Sequence, residues 1–273
     1  MRRLINLRPS RQGTFFLGAL PFAIVLVIYF VFSSLRLAEN PADKLMPAFS
    51  TMGEAIVRVA AEPEQRSGTI VLWADTGASL VRLALGLGIA TAIGLVFGIL
   101  NGLIVYARVT LAPFVGVLSM VPPMALLPIL FIMLGLEETS KVALIVIGVA
   151  PYLMRDLALR VEELPGEQLV KAQTLGASTW VIVARVVLPQ ILPRLIDGLR
   201  LSLGPAWLFL IAAEAIASTE GLGYRIFLMR RYMAMDVILP YVAWITFLAA
   251  ISDWVLVQIS RRAFGWAHLG RGA

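Results

Sequence analysis

Residues that could do chemistry are scarce in the apolar stretches of this sequence. Three ionisable residues lie inside such stretches: Arg82, Glu214 and Asp253. A catalytic site in a membrane needs several such groups close together, and each one alone is costly to place in hydrocarbon. The three residues fall in separate stretches and near their edges, so a membrane-embedded enzyme is not favoured. We predict no catalytic residues in this chain.

Metal and nucleotide sites also lack the residues that they need. The chain has no cysteine and one histidine, His268, near the C-terminus. Thiolate metal sites and disulfides are therefore excluded. The sequence contains no G-x-x-x-x-G-K-[ST] loop, whose backbone amides would cradle the phosphates of a nucleotide. We predict no metal and no cofactor bound to this chain.

A polar segment at residues 171–193, KAQTLGASTWVIVARVVLPQILP, separates two apolar blocks. Small or apolar side chains recur in it at spacings of three and four, which predicts a short helix with one such face. They are Ala172, Leu175, Gly176 and Thr179. Glycine weakens that helix by about 1 kcal/mol relative to alanine, and a close approach by a partner would explain its presence. Periodicity alone favours equally a helix docked in a groove of another protein and one lying on the lipid surface.

The composition is that of a polytopic membrane protein. Of the 273 residues, 59% are hydrophobic and 15% are charged, and the mean hydropathy is +0.87. Soluble globular domains have about 25% charged residues. We predict an all-α bundle of about six transmembrane helices.

Six apolar stretches are predicted to cross the membrane. The first, residues 15–35, is uncharged and long, which favours a retained helix over a cleaved signal peptide. An external loop with a surface helix near 48–60 follows it. The other spans are predicted from 76 or 79 to 106, at 109–136, to about 157, at 195–217 and at 237–260. Pro189 and Pro193 are predicted to end the polar segment and to start the fifth span.

Basic residues predict the orientation and three regions. Residues 1–75 form a cytoplasmic tail, the first span and an external loop; residues 76–260 form a core of five spans with a cytoplasmic loop at about 160–193; residues 261–273 form a cytoplasmic tail. Most lysines and arginines then lie in the cytoplasm, as membrane proteins prefer. Arg225, Arg230 and Arg231 lie outside, against that preference.

Two spans carry patterns with structural meaning. Small residues recur every fourth position in the second span, which predicts close helix packing; they are Gly86, Ala90, Gly94, Gly98 and Gly102. The third span is rich in proline and is predicted to be kinked or broken. A broken helix fits a solute path and a packing kink equally well. The path candidates in this span are Pro122, Pro123, Met124 and Pro128.

The fifth span adds two path candidates, Trp207 and Glu214. A carboxylate that faces lipid is costly, so Glu214 is predicted to face a dimer axis or the outer mouth of the path, with Arg82 or Arg225 as its partner. The alternative is that its side chain simply reaches the outer interface.

Several segments together resemble the permease subunits of binding-protein-dependent ABC importers, especially the group for nitrate, sulfonate, taurine and bicarbonate. They are A-x-T-L-G-A-S with a later V-x-L-P, P-P-M-A-L-L-P, G-L-R-L-S-L-G-P-A-W, A-E-A-I-A-S-T-E-G-L-G-Y and R-R-x-F-x-W. The resemblance covers about residues 79–266. It implies a type I importer fold in a bacterial inner membrane with both termini cytoplasmic.

The resemblance also implies partners and site residues. The expected partners are a second copy of the permease, two cytoplasmic ATPase subunits that bind ATP and Mg²⁺, an external solute-binding protein and membrane lipid, with no nucleic acid. The polar segment would be the coupling helix; its ATPase-coupling residues would be Ala172, Thr174, Leu175, Gly176, Ala177, Ser178 and Pro189. The family usually has a glutamate at the position of Val170.

The resemblance implies that the solute is a small anion such as a sulfonate, taurine or nitrate. A vitamin precursor is the alternative solute. A passive channel, which agrees less well with the motifs, is the alternative function. Five residues would form the external mouth or a docking surface: Gly221, Gly223, Arg225, Arg230 and Arg231. Their positive charge would either concentrate an anion or guide the binding protein. The two glycines would make the approach flexible.

Overall fold

A computed structural model describes residues 10–41, 43–64 and 68–268. These residues are helical, and a single antiparallel bridge between Pro63 and Ile70 is the only β pairing among them. The all-α prediction is confirmed. Most of the basic N-terminal tail and the end of the C-terminal tail lie outside the described residues.

The described helices, in chain order, are α1 (Arg11–Glu39), α2 (Phe49–Ala61), α3 (Val71–Leu103), α4 (Val105–Leu118), α5 (Pro123–Leu134), α6 (Glu138–Glu162), α7 (Gly166–Thr174), α8 (Thr179–Ile182), α9 (Leu188–Ala217), α10 (Leu222–Arg230) and α11 (Met235–Ala263). A π-helical turn, Val183–Val187, joins α8 to α9, and a 3₁₀ turn, Gly265–His268, follows α11. The surface helix predicted near 48–60 is α2.

Five of these segments are long and apolar enough to cross a membrane, and α8 to α9 counts as one of them. The α4–α5 pair makes a sixth if it is taken as one span, and its two halves meet at 92°. The predicted break in the third span is therefore confirmed. It falls at residues 119–122, where Pro122 cannot continue α4 and Pro123 starts α5.

Three helices extend beyond the predicted spans. The helix of the second span begins at Val71, the helix of the fourth continues to Glu162, and the helical segment of the fifth begins at Thr179. The predicted ends of these spans rest on charged or polar residues. In the structure those residues lie within the helices, because their side chains find partners or face outward while the backbone stays helical.

The prediction that Pro189 and Pro193 end the polar segment and start the fifth span is correct for Pro189, which lies at the start of α9, and wrong for Pro193, which lies inside α9. Proline has no amide hydrogen to donate, so helix bonds are lost at both positions. Next to Pro189 the helix widens into a π-helical turn, in which the Leu188 amide donates to the Val183 carbonyl, five residues back. The helix then continues through Pro193 to Ala217.

The centre of the bundle is the packing of α3 on α6, and α9 packs against both of them. The small-residue ladder of α3 makes this contact. A Cβ on Gly94 would lie 2.7 Å from Leu153 Cβ, and one on Gly98 would lie 2.6 Å from Leu157 Cβ. The ladder therefore lets the two helices approach closely, as predicted.

A substitution in the ladder should separate the two helices. Gly98→Val should lower the unfolding midpoint in detergent by several degrees, because Leu157 is fully buried and cannot retreat. Gly88→Ala on the same helix is the matched control. A Cβ there meets nothing within 4 Å, and alanine favours helix by about 1 kcal/mol. Equal loss in both variants would show that the ladder is not a packing surface.

Helix ends define the two ends of the bundle. The α10 end is where α3, α6 and α11 begin and α9 finishes, and α10 packs there on α3, α9 and α11. The α7 end is the opposite one, with α7, α8 and the first turns of α9 beside the ends of α3 and α6. The two regions that the sequence singled out therefore lie at opposite ends.

Candidate functional sites

The predicted coupling segment forms a turn between two helices rather than one helix. α7 ends at Thr174, and Gly176 has a φ of +80°. The Ala177 amide donates to the Ala172 carbonyl at 3.0 Å, and the Gly176 amide donates to the Gln173 carbonyl at 2.9 Å. This pair of bonds is the Schellman ending of a helix, which strongly favours glycine at the left-handed position.

The structure therefore gives Gly176 a different reason from the predicted one. A Cβ at this position would meet nothing within 4 Å in the chain, so close packing within the protomer does not require glycine here. The left-handed backbone conformation at position 176 is what requires glycine. Ser178 then caps α8 by accepting a 3.5 Å bond from the Val181 amide, and Thr174 donates to the Val170 carbonyl at 2.9 Å. These two polar side chains hold the turn's local shape.

The α7–α8 turn presents apolar side chains outward. Leu175 is 87% exposed, and Trp180 just beyond the turn is 80% exposed. Ala172 and Ala177 face the other way and pack on the cluster around Leu157, Val187 and Ile191 at the α7 end. The turn is thus anchored on its inner side and open on its outer side.

A buried polar network occupies the α10 end. Three consecutive backbone amides at the start of α10 are each held by a side chain from another helix. The Gly221 amide donates to Asp75 at 2.9 Å, the Leu222 amide to Ser79 at 2.9 Å, and the Gly223 amide to Glu214 at 2.9 Å. Carboxylates suit this position, because the start of a helix carries free amides and partial positive charge.

Arg82 completes the network with two carboxylates. Its guanidinium donates to Glu214 at 2.7 Å and to Glu138 through Nη2 at 2.8 Å, with a further bond from Nε. Lys141 donates to the same Glu138 at 2.8 Å. Arg82 and Glu214 are 3% and 0% exposed. The predicted pairing of Glu214 with Arg82 is confirmed, and the alternative that its side chain reaches the outer interface is wrong. The predicted position at the dimer axis or the outer mouth is also wrong, because Glu214 is enclosed within the single chain.

The network corrects three residues predicted at the external mouth. Arg225 pairs with the buried Asp75 at 2.8 Å, and Tyr241 donates to the same carboxylate at 3.3 Å. Burial alone would lower the pKa of Arg225, but the hydrogen bond and negative charge of Asp75 raise it above its usual value, so the guanidinium stays charged. Gly221 and Gly223 are close-packed rather than flexible: a Cβ on Gly223 would lie 2.5 Å from the Ile211 carbonyl oxygen.

The other two arginines of that cluster remain at the surface. Arg230 and Arg231 are exposed at the end of α10, and Arg230 lies 5.8 Å from the centre of the Phe227 ring. Together with Tyr224 they line an open cavity of about 400 Å³ against α9. The structure thus divides the predicted cluster into one partly buried arginine that is paired with a carboxylate and two exposed ones.

The predicted path residues fall in two groups. Pro122, Met124 and Pro128 are exposed at the α4–α5 break or on α5, and Pro123 is half-buried at the start of α5. Trp207 and Glu214 instead lie in the protomer core rather than on an open surface. The Trp207 Nε1 hydrogen is buried without a hydrogen-bond partner among the described residues.

Sequence reasoning missed the remaining network residues: Asp75, Ser79, Glu138 and Lys141. A signal was present, since positions 75, 79 and 82 follow the i, i+4, i+7 spacing of one helix face. The predicted second span begins at 76 or 79, so the start of this polar stripe was placed outside the span. In the structure the whole stripe lies within α3, and it is buried because α9 and α10 supply its partners.

Comparison with known proteins agrees with this architecture. Residues 90–265 match the family model described as binding-protein-dependent transport system inner membrane component. The taurine transport system permease protein TauC of Escherichia coli (strain K12) is 34% identical over 258 residues, which covers 94% of this chain and 91% of that protein. The putative aliphatic sulfonates transport permease protein SsuC of Bacillus subtilis (strain 168) is 28% identical and covers 71% and 70%.

A solved structure shares the fold. One described as inward facing conformations of the MetNI methionine ABC transporter superposes with a TM-score of 0.62 at 19% identity, covering 73% of this chain and 99% of that one. At that identity the likeness concerns the fold alone. The sequence matches carry the assignment further: this chain belongs to the binding-protein-dependent transport system inner membrane component family and is the permease subunit of an ABC importer.

Proposed function

We propose that two copies of this chain form the path for a small anion, driven by two ATPase subunits that bind ATP and Mg²⁺. An external solute-binding protein delivers the anion. The observation that carries the proposal is the α7–α8 turn, whose backbone is fixed on the inner side while Leu175 projects from the outer side. A fixed turn with an exposed apolar tip suits docking in a groove of a partner.

The two ends of the bundle have different partners in this proposal. The α7 end faces the cytoplasm and contacts the ATPase subunits, and both termini lie on that side. The α10 end faces outward and receives the binding protein. The basic N-terminal tail and the pair Arg261 and Arg262 in the last turn of α11 support this orientation, because cytoplasmic flanks are enriched in basic residues.

The solute class is proposed from the relatives. TauC is named for taurine and SsuC for aliphatic sulfonates. Taurine and the aliphatic sulfonates all carry a sulfonate group. The test is a binding screen on the solute-binding protein encoded beside this chain, with taurine, alkanesulfonates, nitrate, bicarbonate and neutral vitamin precursors. Selective binding of an anion is expected. Selective binding of a neutral compound would overturn the proposed solute class while leaving the permease role intact.

Arg230 and Arg231 should serve docking of the binding protein. Replacing both with glutamine should weaken that docking at least tenfold and flatten its salt dependence, because exposed charges act mainly by guiding encounter. Docking is measured with the permease in nanodiscs. Arg58→Gln, on the exposed face of α2, is the matched control. If docking keeps its affinity and salt dependence while uptake falls, the two arginines act on the solute instead.

A further inference from the structure

Arg155 is placed differently from three other arginines of the spanning helices. Arg82, Arg108 and Arg200 each reach a carboxylate of another helix, on Glu214, Glu162 and Asp253. Arg155 of α6 reaches a neutral group instead: its Nη1 donates to the Ser119 hydroxyl at 2.9 Å. Within the described ranges it has no ion pair.

The contact places Arg155 at the break between α4 and α5. Ser119 is the last residue of the α4 end, directly before the 92° bend. Its hydroxyl also donates to the Gly116 carbonyl at 2.8 Å. Because the single hydroxyl hydrogen is used there, the oxygen can only accept from Arg155. The guanidinium is therefore held at the corner of the broken span.

Arg155 lies on the open face of α6. Tyr152 and Leu159, one turn before and after it, are exposed, whereas Leu153 and Leu157 on the opposite face are fully buried. Arg155 lies in the last third of the 25-residue α6, about 25 Å from its start and about 10 Å from its end at the α7 end, at 1.5 Å per residue. A guanidinium that faces lipid within a span is costly, so we expect this one to face water or a polar partner.

We propose that Arg155 binds the oxyanion group of the solute inside the translocation path, with Ser119 positioning it. This inference rests on the proposed function and adds the residue that recognises the anion. A guanidinium has five N–H donors, and the Ser119 bond uses one of them. The remaining fork can hold two oxygens of a sulfonate, as arginine holds two oxygens of a carboxylate or phosphate. The positive charge of Arg155 at the α4–α5 break is then neutralised by each anion that passes.

The test uses the complete transporter in proteoliposomes with its binding protein and radiolabelled taurine as the probe. Arg155→Gln should lower uptake at least tenfold. ATP hydrolysis stimulated by the taurine-loaded binding protein should stay within twofold of the parent value, because docking and coupling lie elsewhere. Arg155→Lys should restore part of the uptake, since it keeps the charge and loses the fork. Ser119→Ala should lower uptake a few-fold.

The controls separate recognition from folding. Arg58→Gln removes one positive charge from the exposed face of α2 and should leave uptake unchanged. Arg155→Gln should unfold at the parent midpoint, since the side chain is exposed. Parent-like uptake by Arg155→Gln would overturn this inference alone. Equal falls in uptake and stimulated hydrolysis would also overturn it, because they indicate a structural role. A parent complex that imports none of taurine, an alkanesulfonate, nitrate and bicarbonate would overturn the anionic solute itself, and Arg155's role with it.

Discussion

Replacing Arg82 with methionine should destabilise the folded chain by about 3–5 kcal/mol, the usual cost of breaking a buried ion pair from one side. Arg82 is 3% exposed and Glu214 is 0% exposed, with 2.7 Å between Nη1 and Oε1. Without the guanidinium, the Glu214 carboxylate keeps Ser79 and the Gly223 amide as donors but has no positive partner. The measurement is the unfolding midpoint in detergent, with tryptophan fluorescence as the signal.

The matched control breaks an exposed pair. Arg36 and Asp43 lie 2.5 Å apart with the Arg36 side chain 46% exposed. Arg36→Met should cost at most about 1 kcal/mol, as exposed ion pairs do. Combining Arg82→Met with Glu214→Gln should recover part of the Arg82→Met loss, because the uncompensated charge is then gone. Equal midpoints for Arg82→Met and Arg36→Met would contradict the view that this network holds the α10 end together.

The loss should extend to function at the α10 end. The same carboxylates that pair with arginines also hold the Gly221 and Gly223 amides, so α10 loses an anchor when the network fails. We expect Arg82→Met to weaken docking of the binding protein even at temperatures where the chain remains folded. The ATPase subunits should still bind at the α7 end.

The buried network shows what the sequence could and could not predict. Glu214 was predicted to turn inward because a lone carboxylate in hydrocarbon is unfavourable, and Arg82 was one of two partners considered. The choice between Arg82 and Arg225 depends on how α3 meets α9 and α10, and Arg82 is 132 positions from Glu214 in the sequence. No local pattern contains that information. Asp75 was missed because a charge near a span boundary is normally read as the end of the span.

The α7–α8 turn shows a different limit. The spacings of three and four predicted one face for Ala172 and Leu175, and this is wrong, because Ala172 packs inward whereas Leu175 is exposed on the other side of the turn. Those spacings do not distinguish one continuous helix from two short helices joined at a left-handed glycine. The distinction depends on the Schellman bonds of Gly176 and Ala177, which need the backbone geometry.

Leu175→Asp should detach the ATPase subunits while leaving the membrane bundle folded. Leu175 is 87% exposed, so the change removes almost no burial within the protomer. If the side chain docks in an apolar groove, a carboxylate there is buried without a partner, and binding should weaken by at least a hundredfold. The measurement is recovery of the ATPase on affinity-tagged permease in detergent.

Leu136→Asp is the matched control for this variant. Leu136 lies in the connection between α5 and α6 and is 62% exposed. It makes the same chemical change away from the α7–α8 turn, and ATPase recovery should equal that of the parent. Loss of recovery in both variants would indicate a general effect of the added carboxylate rather than a docking site.

ATP-driven uptake of radiolabelled taurine into proteoliposomes is the most direct test that this chain is the anion path of an ABC importer. With permease, ATPase and loaded binding protein all present, we expect accumulation against a gradient that requires ATP and is abolished by Leu175→Asp. Uptake that proceeds down the gradient without ATP, and equally in Leu175→Asp, would contradict the proposal and indicate a passive channel.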